Sequence, residues 1–220
     1  MPLHIDLHVH SVASSDGISS IAEIIAAARA RGLDGVAITD HDVIMEAESA
    51  SKISREAGFL VIPGVEVTAK EGHVLVLDPR RAFPKGIPFL EAVSSALSDG
   101  SAVIIAHPTD PVSHGAGLGL VEKIYHLKVP IEVLNSSTMR RFNKSARILA
   151  ERLAMPMCGG SDAHLAEAVG DAFTSIETEE KSLHAVIEAI KKGKTAPCGS
   201  QTKKSLAAKT AFRRLGKKMR

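Results

Sequence analysis

The fold of this chain is decided by a stretch near its amino end, Ile5-Asp6-Leu7-His8-Val9-His10-Ser11-Val12-Ala13-Ser14-Ser15-Asp16-Gly17. Apolar residues alternate here with Asp6, His8 and His10, which is the period of a strand with one apolar face. Side chains two residues apart on a strand point the same way, so these three side chains project together. Asp16 and the glycine after it predict a loop that brings a carboxylate back over the strand end. Two imidazoles on one face can bind a divalent ion, although half-buried strand histidines have the same spacing.

The length allows one large domain or two small ones, and the composition predicts a globular protein with an aliphatic core. The 220 residues are 45% hydrophobic but only 3% aromatic, and no apolar run approaches the ~20 residues that span a bilayer. Two cysteines, Cys158 and Cys198, make no disulfide framework and favour a reducing compartment. The amino end has no basic and then apolar layout of a signal peptide. We therefore expect a cytoplasmic protein without a membrane partner.

Charge is distributed unevenly along the chain. The net charge is +2, but residues 203–220 carry eight basic side chains and no acid, so residues 1–202 have a net charge of −6. We expect a body over residues 1–200 and a basic carboxy-terminal tail over residues 201–220. Such a tail is most often solvated, but it is also compatible with a short helix packed on the body or with phosphate contacts to RNA or DNA.

Short apolar runs alternate with helix-type segments through the body. The runs at 35–39 and 102–106 are continuously apolar, which is typical of parallel strands covered by helices. About seven such strands favour a closed α/β barrel over an open sheet. No Gly-x-Gly-x-x-Gly motif follows the first strand, so a dinucleotide-binding fold has little support.

Polar residues cluster at the carboxyl ends of these predicted strands, where the active sites of barrels are built. The strand-end residues are His8, His10, His41, Glu66, His107, Asp162 and His164. Asp16, Asp40 and His73 are close to them in sequence. A shell of imidazoles and carboxylates without cysteine suits zinc, manganese or iron.

In these positions the chain resembles the PHP (polymerase and histidinol phosphatase) family of phosphoesterases. The five matching motifs, in order, are His8-Val-His10-Ser-x-x-Ser14-x-Asp16-Gly17, Gly35-Val-Ala-Ile-Thr-Asp40-His41, Pro63-Gly64-Val-Glu66, Ala106-His107-Pro108 and Gly160-Ser161-Asp162-Ala-His164. The resemblance implies a distorted seven-stranded α/β barrel with two or three divalent ions, Mn, Zn or Fe. The implied ligands are His8, His10, Asp16, His41, Glu66, His107, Asp162 and His164, with His73 as the candidate for one further histidine. Asp16, His41 and Asp162 are expected to be essential for catalysis.

Activity follows from this resemblance as an expectation. Paired metal ions activate a water for attack on a phosphate ester, so no serine or cysteine nucleophile is required. Nucleotides or short oligonucleotides are the favoured substrates, and a histidinol-phosphatase-like monoesterase is an alternative. A non-catalytic nucleic-acid-binding subunit of the same fold and an amide hydrolase also stay open. The amide hydrolases of this type need a lysine that bridges the metals, and Lys70 is the one lysine near a predicted strand end.

Several neighbouring residues are predicted to support the site. Asp6 and Asp40 are expected to orient the ligating histidines, and Glu132 is expected either to do the same or to hold a loop. Arg140 and Arg141 follow that loop and are candidates for contact with substrate phosphate, although two exposed arginines at a helix start are an equal alternative.

Overall fold

The computed structural model describes residues 2–218, which form nine strands and seven α-helices. The strands are β1 (Leu3–Val9), β2 (Gly35–Ile38), β3 (Leu60–Ala69), β4 (Gly72–Leu77), β5 (Ala102–Ile105), β6 (Ile131–Asn135), β7 (Met157–Gly160), β8 (Ala172–Ile176) and β9 (Thr195–Gly199). The helices are α1 (Ile21–Ala30), α2 (Ala47–Ala57), α3 (Phe89–Ser98), α4 (Leu118–Ile124), α5 (Arg140–Leu153), α6 (Leu183–Lys191) and α7 (Lys204–Lys218).

All nine strands belong to one sheet in the order β7-β6-β5-β4-β3-β2-β1-β8-β9. Four of the neighbouring pairs are parallel and four are antiparallel. The prediction of a parallel sheet is therefore wrong for four of the eight strand pairs. Strands β3 and β4 form a hairpin in which Ala69 pairs with Gly72, and this reverses the direction of β4. Strands β2, β4 and β5 are buried along nearly their whole length, so their sequences are largely apolar whether the strand runs parallel or antiparallel.

The strand count of seven was wrong, although the barrel-like α/β fold is confirmed. Strand β9 was missed because Pro197 lies within it, and proline cannot donate to a ladder. The sheet accommodates this residue because β9 is an edge strand that pairs only with β8.

Contacts beyond the ladders bring the two ends of the sheet together. Just after β7, Ala163 forms a parallel bridge with Val9 of β1, and the Asp162 amide donates to the carbonyl of His8 at 2.8 Å. Lower down, the Thr174 hydroxyl of β8 donates to the Gly159 carbonyl at 2.6 Å and accepts from the Gly159 amide at 3.0 Å. The sheet thus curls into a nearly closed barrel, and the ends of β1, β2, β3, β5 and β7 surround one space.

Three apolar clusters hold the helices on the barrel. One joins Ile5 and Leu7 of β1 to Val186 and Ile190 of α6, and a second packs α3, α4 and α5 on β3 to β6. The third packs α1 and α2 on β2, with Ile24 of α1 fully buried. These clusters leave the strand ends around the candidate site free of helices α1 to α6.

Local sequence signals mark the start of α1 and the end of α2. Helix α1 begins with a capping box in which the Glu23 amide donates to the Ser20 hydroxyl and the Glu23 carboxylate accepts from the Ser20 amide. Helix α2 ends at Gly58, whose φ of 58° lies in the left-handed region that glycine adopts without strain.

Most of the basic tail forms α7, which contacts the body. Leu206 packs against the cluster around α1 and α2, whereas Phe212 and Leu215 are exposed. Within residues 2–218, no helix combines the length and the apolar character that crossing a membrane requires. Cys158 is buried and Cys198 is half-buried, and both are free thiols. The cytoplasmic location stays a prediction, as does the division at residue 200; Arg220 of the tail lies outside the described residues.

Candidate metal centre

The structure brings together all nine residues that the sequence proposed as ligands. They are His8 and His10 on or just after β1, Asp16 on the following loop, His41 after β2, Glu66 on β3, His73 on β4, His107 after β5, and Asp162 and His164 after β7. Their potential ligand atoms form four overlapping groups, each with its atoms within 4.8 Å of one another. The donor set of these groups is imidazole and carboxylate only.

Glu66 lies at the centre of this cluster and is almost completely buried. Backbone bonds between β2 and β3 position it, because the Glu66 amide donates to the Asp40 carbonyl and His41 forms a bridge with Glu66. Five imidazole nitrogens lie close to its two carboxylate oxygens: His73 Nδ1 at 2.8 Å and His107 Nε2 at 3.1 Å from Oε1, and His8 Nε2 at 3.1 Å, His10 Nε2 at 3.2 Å and His41 Nδ1 at 3.3 Å from Oε2. A carboxylate with this arrangement can bridge two ions.

Asp16 and Asp162 extend the cluster on one side of Glu66. Asp16 Oδ2 lies 3.0 Å from His164 Nε2 and 3.7 Å from His41 Nε2. Asp162 Oδ1 lies 3.3 Å from His10 Nε2. Asp16 is grouped with His10 and His41, and Asp162 is grouped with His8. These three histidines also belong to the groups that contain Glu66.

Unsatisfied nitrogens within the cluster fit metal ligation. Four imidazoles have buried ring nitrogens that make no hydrogen bond within the described chain: His10 (Nδ1 and Nε2), His41 (Nδ1), His73 (Nδ1) and His107 (Nδ1). His10 Nε2 is close to two carboxylates but makes no hydrogen bond to either. Buried polar atoms without partners are rare because the lost hydration is not replaced. A metal ion bound through these lone pairs would compensate for that cost.

Electrostatics at the centre also fit cation binding. Burial lowers the pKa of His8, but the negative charges of Glu66, Asp162 and Glu132 outweigh it and hold that pKa well above its usual range. The same balance of burial against carboxylates raises the pKa of His10 to about 9. Burial opposes ionisation of Glu66, yet the surrounding imidazoles hold its pKa well below the usual value. Without an ion, protons on the imidazoles therefore neutralise the carboxylates, and divalent ions would supply the same positive charge.

His41 and His164 differ from the other histidines of the cluster. Burial lowers the pKa of both, and for His164 the positive charge on His10 lowers it further. Both are therefore neutral near pH 7, which is the protonation state that a metal ligand needs. Asp16 faces them as an ionised carboxylate, because His164 outweighs the effect of burial and holds its pKa well below its usual range.

Two residues of the centre have strained backbones. His107 has a φ of 27° and Asp162 a φ of 52°, values that residues with a side chain seldom adopt. Each lies two residues after the end of a strand, β5 or β7, and its side chain belongs to the metal centre. Such strain of about 1–3 kcal/mol per residue persists only where the surrounding structure imposes it.

Glu132 of β6 positions the first ligand histidine. Its Oε1 lies 3.1 Å from His8 Nδ1, and its Oε2 accepts hydrogen bonds from the His107 amide at 2.9 Å and from Asn135 Nδ2 at 3.0 Å. A Cβ on residue 160 would lie 2.7 Å from Glu132 Oε1 and 2.7 Å from His8 Cβ. Only glycine therefore fits at this position of β7. Two roles were predicted for Glu132, orienting a histidine or holding a loop. Its contact with His8 Nδ1 fits the first.

Asp6 and Asp40 contact the backbone instead of the imidazoles expected for them. Asp6 accepts from the amides of Ser161 at 2.9 Å and Gly170 at 2.8 Å, which fastens β1 to the segment after β7. Asp40 accepts from the amide and the hydroxyl of Ser11, each at 2.6 Å. Both residues therefore hold the loops that carry ligands, and burial raises the pKa of Asp6 to about 6.

The two arginines proposed for substrate contact do not line the centre. Arg140 donates to Gln201 at 2.8 Å, and Arg141 stacks on Phe142 at the protein surface. The arginine that lines the cavity at the centre is Arg214 of α7, together with a loop that contains His114. The sequence signalled a basic tail with some apolar residues, but it contained nothing that placed this helix on the site.

Comparison with known proteins supports the fold and the family resemblance. The family model described as PHP-associated matches residues 140–195. A 5′-3′ exoribonuclease from Haemophilus influenzae is 36% identical over 104 residues, which cover 46% of this chain but only 37% of that protein. A probable phosphatase from Photobacterium profundum is 26% identical over 223 residues, covering 86% of this chain and 89% of its own.

Solved structures share the architecture over nearly the whole chain. A two-domain protein from Bacteroides vulgatus, which contains a predicted PHP-like metal-dependent phosphoesterase, superposes with a TM-score of 0.72 at 21% identity. The superposition covers 97% of this chain and 70% of the other. At this identity the likeness establishes the fold.

Proposed function

We propose that this chain is a metal-dependent phosphoesterase of the PHP type. The proposal is supported by the match of residues 140–195 to a PHP-associated family model and by a fold shared with a protein that contains a predicted PHP-like phosphoesterase. The reaction would be hydrolysis of a phosphoric ester bond. The proposal for the activity draws on a relative that is named a probable phosphatase and on the chemistry of the residues around Glu66.

The observation that carries the proposal is the convergence of five imidazoles on the buried carboxylate of Glu66. A structural role alone does not explain this arrangement, because buried imidazoles and carboxylates are costly unless they are fully paired. Several ring nitrogens here have no hydrogen-bond partner in the described chain. Metal ligation accounts for both the clustering and the unpaired nitrogens.

We propose that two or three divalent ions, Mn, Zn or Fe, occupy the overlapping groups. One group would use His10, Asp16, His41 and His164; another His8, His107 and Asp162; the others share Glu66 with His8 and His10 or with His41 and His73. When bound in such a site, divalent ions act as Lewis acids toward phosphate oxygens and increase the acidity of water.

Three side chains of the cluster are proposed to complete the chemistry. His41 is about one fifth exposed and neutral near pH 7, so its imidazole is able to accept a proton or bind an ion. Asp16 and Asp162 are ionised in the field of the histidines and would hold positive charge next to the substrate. This is the physical basis for expecting Asp16, His41 and Asp162 to be essential.

Two other reaction classes have less support. A cysteine nucleophile is disfavoured, because Cys158 is fully buried and burial raises the pKa of its thiol well above the usual value. An amide hydrolase of the type with a bridging lysine is disfavoured because no lysine is among the described residues that line the cavity, and Lys70 is exposed.

Nucleotides or short oligonucleotides are the proposed substrates. The support is the relative named a 5′-3′ exoribonuclease and the basic α7 beside the cavity, which would attract phosphates at low ionic strength. A histidinol-phosphatase-like monoesterase is the second candidate within the same chemistry. A non-catalytic nucleic-acid-binding subunit is favoured by the tail alone.

The test combines metal analysis with a substrate panel. Wild-type protein, a His8→Gln/His10→Gln variant and a His126→Gln control, which changes an exposed histidine outside the cluster, would be stripped of metal and reloaded with manganese, zinc or iron. We expect two to three retained ions in the wild type and the control and fewer in the double variant. We would then measure inorganic phosphate released from mononucleotides and histidinol phosphate, and nucleotides released from short RNA and DNA.

Each outcome separates two classes. Metal-dependent hydrolysis that the double variant loses would support a phosphoesterase, and the preferred ester would distinguish mononucleotides, oligonucleotides and other monoesters. Retained nucleic-acid binding without metal and without hydrolysis would favour the non-catalytic subunit. Failure to retain ions under any loading would refute the proposal.

A further inference from the structure

Helix α7 is fastened to the loop that carries Asp16. Lys217 Nζ donates to three backbone carbonyls of this loop, those of Val12 at 3.0 Å, Ser14 at 2.7 Å and Gly17 at 2.7 Å. Nearer the start of the helix, Lys209 pairs with Glu167 at 2.8 Å. Three converging carbonyls bound by one ammonium group specify the position of α7 better than a single surface ion pair does.

This docking places Arg214 inside the site. Its Nη2 contacts Asp16 Oδ2, the same oxygen that lies 3.0 Å from His164 Nε2. Arg214 lines a cavity of about 360 Å³ together with His41, Glu66 and His164. Among the described residues that line this cavity, it is the one whose positive charge does not depend on pH.

From these contacts, and resting on the proposed function, we propose that Arg214 binds the phosphate group of the substrate. The contact with Asp16 uses one nitrogen of a guanidinium that has five N–H donors in a planar fork. Such a fork matches two oxygens of a phosphate, and the cavity that Arg214 faces adjoins the imidazoles and carboxylates of the metal centre. The substrate phosphate would therefore lie between the metal centre and α7, with Arg214 in the role that the sequence assigned to Arg140 and Arg141.

The experiment measures binding of inorganic phosphate to the metal-loaded full chain by isothermal titration calorimetry. The variants are Arg214→Gln and Arg214→Lys, and Arg213→Gln is the matched control with the same charge change on the same helix. Lys217→Gln removes the contacts that dock α7 but leaves the guanidinium. Metal content and thermal unfolding of every variant are measured alongside, so that misfolding and metal loss are detected.

We expect Arg214→Gln to weaken phosphate binding by about 10- to 100-fold, the usual effect of losing charge-assisted hydrogen bonds. Arg214→Lys should recover part of this loss, and Arg213→Gln should bind phosphate as the wild type does. For hydrolysis, Arg214→Gln should raise KM for the best substrate of the panel, and its metal content should stay unchanged.

Two results would overturn the inference. One is equal phosphate affinity in Arg214→Gln and Arg213→Gln. The other is weaker phosphate binding in Arg214→Gln that is matched by a loss of bound metal, which would assign Arg214 to holding Asp16 and not the phosphate. A loss in Lys217→Gln is expected, because the position of Arg214 depends on the docking of α7. Failure of the proposed function is a separate result: phosphate binding that depends on Arg214, with no hydrolysis of any ester, would refute the phosphoesterase and retain the binding residue.

Discussion

Removal of metal should make the stability of this protein fall as pH rises from 6.5 to 9. In the folded, metal-free chain, the carboxylates around His10 raise its pKa to about 9, against 6.5 for an ordinary histidine. The folded state therefore holds this proton more tightly than the unfolded chain does. The resulting stabilisation is fully present below pH 6.5 and is lost as pH rises through about 9.

The magnitude follows from the two pKa values. At about 1.4 kcal/mol per pH unit, the difference between 6.5 and about 9 corresponds to about 3 kcal/mol for His10. His8 and His107, whose pKa values are also raised, change stability in the same direction. For a chain of 220 residues, about 3 kcal/mol lowers the unfolding midpoint by about 6–12 °C.

Other groups of the centre titrate outside this window. The pKa values of His41 and His164 are lowered, so these two groups change the stability only at pH values below 6.5. Burial raises the pKa of Asp6 to about 6, which places its effect between pH 3.8 and 6. The buried thiol of Cys158 acts only where an unfolded cysteine ionises, near pH 9 and above. The decline between pH 6.5 and 9 therefore reports on the three raised histidines.

The assay is calorimetric or circular-dichroism melting of the stripped protein at several pH values. His10→Gln should flatten the profile by about 3 kcal/mol, and the exposed His126→Gln should leave it unchanged. Addition of manganese or zinc should reverse the sign, because metal binds the neutral imidazole and its affinity rises with pH. A stripped wild-type protein whose stability is constant over this window would refute the reasoning about His10.

Three further perturbations test other parts of the structure. Asp16→Ala or His41→Ala should abolish metal-dependent hydrolysis while the protein stays folded by circular dichroism, because neither side chain packs in an apolar cluster. Wild-type turnover at saturating metal would show that the site is misassigned. Glu132→Gln should weaken metal binding by about 10- to 100-fold by releasing His8 Nδ1, as measured by calorimetry with competing chelators, and equal affinity would remove its positioning role. Thr174→Val should cost about 1–3 kcal/mol in urea unfolding because two hydrogen bonds across the barrel closure are lost. Thr174→Ser, which keeps the hydroxyl, is the control, and an equal loss in both variants would contradict this account.

Much of the site is determined by the amino-acid sequence alone. The alternation of Asp6, His8 and His10 decides which side chains share a face, because the side-chain period of a strand is two residues. The placement of His41, His107 and Asp162 just after strands follows from short apolar runs that each end in a polar residue. Glu66, predicted at a strand end, lies within β3, because the strand continues to Ala69. These are local properties, and local backbone geometry is what a sequence pattern encodes.

The tertiary structure decided the features that join distant segments. Strand β9 forms only because an edge position accepts Pro197, and β4 runs antiparallel although its composition does not distinguish the two directions. Asp6 and Asp40 bind backbone amides or a serine instead of imidazoles, since the turns after β1 and β7 happen to place those donors nearest to them.

Arg214 is the clearest case of a residue that only the tertiary structure identifies. It is separated from Asp16 by 198 positions, and in the sequence it resembles the other basic residues of the tail. Arg140 and Arg141, which follow a strand-end loop, had the stronger local argument and lie outside the cavity. Which arginine reaches the site depends on where α7 packs, and that position is set by Lys217 and Leu206 through contacts with segments distant in the chain. No local pattern contains that information, because the contacts exist only once the barrel has closed.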